Sequence, residues 1–275
     1  MVKFKFVVGI LVLIVFSVTP LKGDSINLGS VLDSLIIEHE IAPLYIFQND
    51  GNYGPKGTDY KAEHVGQQKN LLLSRRSTVE MRWKDKHRII FLYAPFDVTT
   101  TSRLNKDIQF KETLFQKDTL IRHRYLFDGY RLSYLYEILN SSKVDLELGC
   151  SFQIRNAEVS FKKVHGGGYE TVNDIGLVFA LKSRLNYYPL GTGLRFMLES
   201  DGFSTLGLLG DSVRGAIYDV KIGVGIPFAN SAQLTLKTGL LGGGAKVEDK
   251  NIDNWGNFGS ASIGMKVDLV SLLGN

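Results

Sequence analysis

Along residues 144–155 apolar and polar positions alternate almost without error. Val144, Leu146, Leu148, Cys150, Phe152 and Ile154 share one parity, while Asp145, Glu147, Gly149, Ser151, Gln153 and Arg155 share the other. Successive side chains of a strand point to opposite faces, so this segment has one apolar face and one charged face. The pattern recurs down the chain. Tyr130, Leu132, Tyr134, Tyr136 and Ile138 are in phase; so are Leu177, Phe179 and Leu181, then Val220, Ile222 and Val224, and finally Ile263, Met265 and Val267.

The opposite parity collects charge of both signs: Arg76, Glu80 and Arg82; Arg131 and Glu137; Asp145, Glu147 and Arg155; Lys182 and Arg184; Arg195, Glu199 and Asp201; Asp219 and Lys221; Lys237; Lys266 and Asp268. Hydrocarbon would exclude such groups, and a dry core tolerates them only in pairs. A soluble sandwich also alternates, but it turns its polar face to bulk water. The arrangement that satisfies both faces here is an all-β, transmembrane, antiparallel up-and-down barrel. Tyr130, Leu132, Tyr134, Tyr136, Leu146, Leu148, Phe152, Leu177, Phe179, Val220, Ile222, Ile263 and Val267 then face lipid, and the charged set lines the lumen.

About ten strands are expected, near 36–48, 70–84, 87–115, 119–139, 144–163, 175–188, 194–204, 214–227, 232–247 and 258–270. The first alternates poorly and contains Pro43, which fits an edge or bulge better than a paired strand. Short connections (85–86, 140–143, 189–193, 229–231) alternate with longer polar ones (49–68, 116–118, 164–174, 205–214, 248–257). Outer-membrane barrels order their periplasmic turns and external loops in this way. Trp83, Tyr136 and Tyr187 fall near turns, where amphipathic rings favour the membrane interface. Arg75 shares its parity with Leu73, Val79 and Met81 and is tolerable only near the external rim. Residues 98–125 keep strand character beyond the roughly 9–11 residues that a span needs. With charges on both faces, they read as a hairpin projecting outside, a candidate contact surface.

Residues 1–23 read as a signal peptide: Lys3 and Lys5 precede an apolar run from Phe6 to Val18 that is too short for a spanning helix. Residues 24–275 form the barrel domain, placed in the bacterial outer membrane. Of 32 basic side chains, Lys3, Lys5 and Lys22 belong to the leader, leaving 29 against 28 acidic. No basic patch points to nucleic acid. Cys150 is the single cysteine, so an intrachain disulfide is excluded.

No histidine pair has metal-ligand spacing, and neither cofactor nor metal is expected. His123 with Asp128, or His165 with Asp174, could meet at the rim, yet the spacing selects neither, and no catalytic residues are assigned. Gly166, Gly167 and Gly168 lack a following helix and read as a flexible loop, not a phosphate cradle. The inward glycines of the later strands, among them Gly223, Gly239 and Gly264, read as barrel curvature.

The Tyr130-Arg131-Leu132-Ser133-Tyr134-Leu135-Tyr136 strand is followed by a second containing Gly149 and then Ile154-Arg155-Asn156-Ala157. This hairpin resembles one in a family of uncharacterised Gram-negative outer-membrane barrel proteins. The resemblance implies outer-membrane placement and no particular activity. The tail 271–275 departs from such proteins, which usually end the last strand on an aromatic residue. The expected role is therefore structural, adhesive or ligand-binding, in a monomer with outer-membrane lipid around it, a salt-bridge-filled lumen and an unidentified external ligand. A narrow pore or small-solute channel is the alternative, and an outer-membrane hydrolase a third.

Overall fold

The computed structural model describes residues 31–69, 71–205 and 213–273. The expected leader, most of the connection 205–214 and the last two residues lie outside the described residues. In chain order the strands are β1 (Ser34–Tyr53), β2 (Leu72–Trp83), β3 (His87–Arg103), β4 (Ile108–Phe110), β5 (Thr113–Phe115), β6 (Leu120–Asn140), β7 (Val144–Lys163), β8 (Tyr169–Tyr187), β9 (Arg195–Ser204), β10 (Val213–Ala229), β11 (Ala232–Val247) and β12 (Ile252–Asp268). Ten of them close a barrel in the order β1-β12-β11-β10-β9-β8-β7-β6-β3-β2, every ladder antiparallel, while β4 and β5 form a separate two-stranded sheet.

Side-chain parity decides the two faces. Leu132, Leu148, Phe152, Leu177, Ile222 and Ile263 are exposed on the outside, with Tyr134, Tyr136, Phe179 and Val220, whereas Tyr130, Leu146 and Val267 are half-covered by neighbours on the same face. A closed sheet wrapped in an apolar band has the construction of a transmembrane barrel, in which lipid covers what water would not. The band has marked edges. At the turn end, Trp83 stacks on His87 with ring centroids 5.3 Å apart, and Tyr136 meets the same imidazole edge-on. At the other end, Arg124 pairs outside the wall with Asp97 at 2.8 Å and Glu158 at 3.1 Å.

Several expectations are corrected. Pro43 sits inside a 20-residue strand: its pairs with β12 are missing at 42 and 43, but the register on either side is unchanged. The poor alternation of this strand has two sources, apolar residues on both faces from Ile41 to Phe47 and a bulge between Ile46 and Gln48. One extra residue switches the inward parity from even (Leu44, Ile46) to odd (Asn49, Gly51, Tyr53). β8 begins at Tyr169 and β12 at Ile252, so the external connections there are short, and the strands themselves supply the extension. Strand 258–270 stops at Asp268, whose carboxylate accepts from the amide of Val270 and so caps a short helix α1 (Leu269–Leu273).

The region 98–125 differs most from expectation. β3 and β6 stay paired up to Arg103 and Leu120, so the extension is real. Its inner face, however, is apolar rather than charged, and its tip folds back into the mouth. Leu104, Ile108, Phe110, Phe115 and Ile121 are buried with Tyr53, Tyr60, Ala62, Val65 and Phe161 in one core. The charge of the lumen is accordingly concentrated in its turn-side half, and the external half holds an apolar, aromatic plug built from 54–69 and β4–β5.

Candidate functional site

Three ionic clusters fill the turn-side lumen. In the first, Arg184 donates to both oxygens of Glu80 at 2.7 and 2.8 Å and to Glu147 at 2.6 Å. Arg88 joins Glu147, at 2.6 Å, to Glu137, which also faces Arg82 at 3.7 Å. In the second, Arg131 bridges Asp201 at 2.8 Å and Asp219 at 3.1 Å; Arg76 holds Asp219 at 2.9 Å and Lys182 holds Asp201 at 2.7 Å. In the third, Glu40 accepts from Lys221, Lys237 and Ser262 at 2.8, 2.9 and 2.9 Å, and Lys237 also reaches Glu38 at 2.7 Å. Nearly all of these side chains are buried, with every charge facing an opposite one. That geometry lets a low-dielectric interior hold ions at all.

The glycines of β10–β12 earn their places here. A Cβ on Gly223 would stand 2.7 Å from Lys237 Cγ, one on Gly239 2.8 Å from Lys221 Cγ, and one on Gly264 2.9 Å from Glu40 Cγ. At Gly223 and Gly239 a backbone carbonyl, Leu236 O and Val220 O, would lie nearer still at 2.5 Å, so these glycines admit both the close strand approach expected from sequence and the stems of the third cluster. Of the remaining expected lumen residues, Asp145 accepts from the Tyr188 hydroxyl at 2.8 Å, and Glu199 lies 3.9 Å from Arg184. Arg195 stands opposite Gly225, and Lys266 opposite Glu38. Arg155 pairs with Asp174, higher up the barrel than the clusters.

Sequence reasoning missed Glu38, Glu40 and Arg88. The first two alternate with Ile37, His39 and Ile41, a signal hidden because apolar residues occupy both faces from Ile41 to Phe47 just beyond them. Arg88 shares its parity with the inward apolar residues Ile90 and Leu92, and only the carboxylates across the lumen give it a role.

Above the clusters lies a cavity of about 440 Å³, within the range of roughly 300–1,000 Å³ typical of small-molecule sites. Apolar side chains from β1, β3, β6, β10, β11 and β12 wall it, Phe96, Phe127, Ile217 and Phe258 among them; Arg76, Arg131, Arg155 and Asp219 border it. Above the cavity, at the plug, His123 is fully buried rather than solvated at the rim. Gln67 Nε2 lies 3.0 Å from its Nδ1, and Asn49 donates to Gln67 at 2.8 Å. Burial pushes the imidazole down to about 3, so the ring is neutral. His123 points inward, whereas the parity of Asp128 is outward. Asp174 is engaged by Arg155, and His165 is exposed in the turn 164–168. The two pairings weighed from sequence do not form. Among the described residues no group of three or more His, Cys, Asp or Glu side chains is placed to hold a metal.

No protein-family model matches the chain, and no curated protein matches it. Solved outer-membrane barrels resemble it only distantly, with TM-scores below 0.5. The outer membrane protease OmpT of Escherichia coli is 13% identical over 86% of this chain and 97% of its own, with a TM-score of 0.48. The attachment invasion locus protein Ail of Yersinia pestis, in complex with sucrose octasulfate, is 8% identical over 86% and 98%, with a TM-score of 0.38. The toluene transporter TodX of P. putida is 7% identical over 88% and 92%, also at 0.38. It is the closed antiparallel sheet with its apolar outer band, and not a likeness to these structures, that makes the chain a transmembrane-type β-barrel. At such identities no activity passes from them to this chain.

Proposed function

We propose that the chain is an integral, monomeric outer-membrane barrel that binds a ligand in its external half while its lumen stays closed to ions. The observation that carries this reading is the stacking of two unlike halves in one lumen. Salt-bridged clusters fill the turn side, and directly above them lies a walled, partly apolar cavity. Small barrels are filled by their own side chains, and only much wider ones leave an aqueous channel. The buried ion pairs neutralise one another in charge and offer no row of like charge to a permeant ion.

Reconstitution into planar bilayers tests the closure. The wild-type barrel is expected to give a flat current trace. The Glu80→Ala/Arg184→Ala double variant, which removes the tightest bidentate pair, is expected to admit small transient currents. Regular ohmic steps from the wild type would overturn the closed-lumen reading and favour a narrow pore.

A further inference from the structure

On the outer face, β3, β6, β7 and β8 carry matched rows of side chains whose character changes toward the external end. Tyr93, Tyr130, Ile154 and Leu177 stand side by side in the apolar band. Two rows farther out come Asp97, Leu126, Glu158 and Asn173. The next row is Thr99, Arg124, Ser160 and Thr171, and the one beyond it Thr101, Arg122, Lys162 and Tyr169. Rows on one face are about 6.6 Å apart along each strand. Their order, apolar, then mixed, then hydroxyl and cation, is the order of a lipid from its chains to its headgroup.

The heights agree. From Tyr136, at the turn-side edge of the band, β6 runs about 46 Å to Arg122 at roughly 3.3 Å per residue, or about 35 Å of height at a tilt near 40°. The apolar band of an outer-membrane barrel is about 25 Å tall, which leaves Arg124 roughly 5 Å and Arg122 roughly 10 Å beyond it. The headgroup layer adds about 5–8 Å on each side of the hydrocarbon, within reach of both long side chains.

The outermost row is also electrostatically incomplete. Arg122 lies directly opposite Lys162, and both are exposed. Like charges in that position destabilise a sheet. Neither side chain has a hydrogen bond or an ion pair among the described residues. The carboxylates two rows below, Asp97 and Glu158, are both engaged by Arg124. Another like-charged pair on the outer face, Arg214 opposite Lys246, differs in that Lys246 has Glu248 at 3.7 Å. Nor is the rim basic all round: the β1–β12 ladder sets Asp50 against Trp255 and Asn52 against Asp253. An anion seated between Arg122 and Lys162 would replace their repulsion with two charge-assisted contacts.

We infer that this face of β6 and β7 holds the phosphate-bearing headgroup of an outer-leaflet lipid, its phosphate between Arg122 and Lys162 and its chains against the row of Tyr130 and Ile154. The site is outside the barrel and depends neither on the internal cavity nor on closure of the lumen.

The full-length barrel in detergent micelles is titrated with bisphosphorylated lipid A, and bound lipid is counted by native mass spectrometry. Wild type is expected to retain lipid A at least tenfold better than the fully dephosphorylated glycolipid, and a large excess of inorganic phosphate should not displace it. Arg122→Gln/Lys162→Gln should weaken retention at least fivefold. Lys61→Gln/Lys246→Gln, which removes the same charge from exposed positions elsewhere, should change it less than twofold. Folding is checked by heat-modifiable migration; if the first double variant does not fold, Arg122→Gln alone takes its place, with at least a twofold loss expected. Equal retention with and without the lipid phosphates, displacement by inorganic phosphate (a soluble-anion site), equal losses in the two double variants, or wild-type retention in a folded variant lacking Arg122 would overturn the proposal.

Discussion

Replacing Glu40 by Gln gives the most direct measure of what the ionic lumen contributes. Glu40 is 3% exposed and accepts from two lysines and a serine. The loss is uneven. Lys237 keeps Glu38 at 2.7 Å, whereas Lys221 loses its only ion-pair partner within 4 Å among the described residues and is 5% exposed. Removing one partner of a buried pair destabilises by about 3–5 kcal/mol, because the remaining charge is left uncompensated. The amide oxygen can still accept from Ser262, so the lower half of that range, about 3 kcal/mol, is expected. With a urea slope of about 2–3 kcal/mol/M the midpoint should fall by roughly 1–1.5 M. The assay is equilibrium unfolding from detergent micelles, followed by tryptophan fluorescence and heat-modifiable migration. The Glu40→Gln/Lys221→Met double variant removes both charges and should recover most of the loss, since an apolar replacement of a buried pair is often neutral. A single variant within about 0.5 kcal/mol of wild type, or a double variant as unstable as the two singles added, would refute the claim that Lys221 is held in place by Glu40.

Two further outcomes follow from the external half and the wall. His123 is held neutral by burial, with its folded value near 3 against 6.5 for the free side chain. A lowered folded value makes the unfolded state the better proton acceptor. The contribution is whole above about pH 6.5 and is lost progressively as pH falls toward 3. At pH 4.5 the plug around His123 should be weaker by about 2–3 kcal/mol. Hydrogen exchange of 104–119 should accelerate between pH 7 and 4.5 after correction for intrinsic rates, and His123→Gln should remove that acceleration; an unchanged wild-type profile would contradict it. On the wall, Leu132→Arg places a cation in the exposed apolar band and should lower stability in lipid by about 2–4 kcal/mol, whereas Thr99→Arg, above the band, should cost about 0–1. Equal effects in a reversible refolding titration would mean that lipid does not cover Leu132.

Alternation along the chain was sufficient to read the barrel, its ten strands, the side facing lipid and most of the charged lumen. A strand's period is two and local, so each segment reports its own two faces without reference to its neighbours. That reading failed where a local irregularity broke the period. At the bulge before Gln48, every later position of β1 turns over, while Glu38 and Glu40, on the regular side of it, were hidden by the apolar residues on both faces that follow them. It failed again in 98–125, where polar residues outnumber apolar ones but the apolar ones converge from distant loops.

What the linear pattern determined is the partition of each strand between lipid and lumen, because hydrocarbon and ions impose opposite demands on adjacent positions. What only the tertiary structure decided is which inward residues meet. Glu40 with Lys221 and Lys237, His123 with Gln67, and Arg76 with Asp219 are joined across the barrel, by closure of β1 on β12 and by the stagger of the strands.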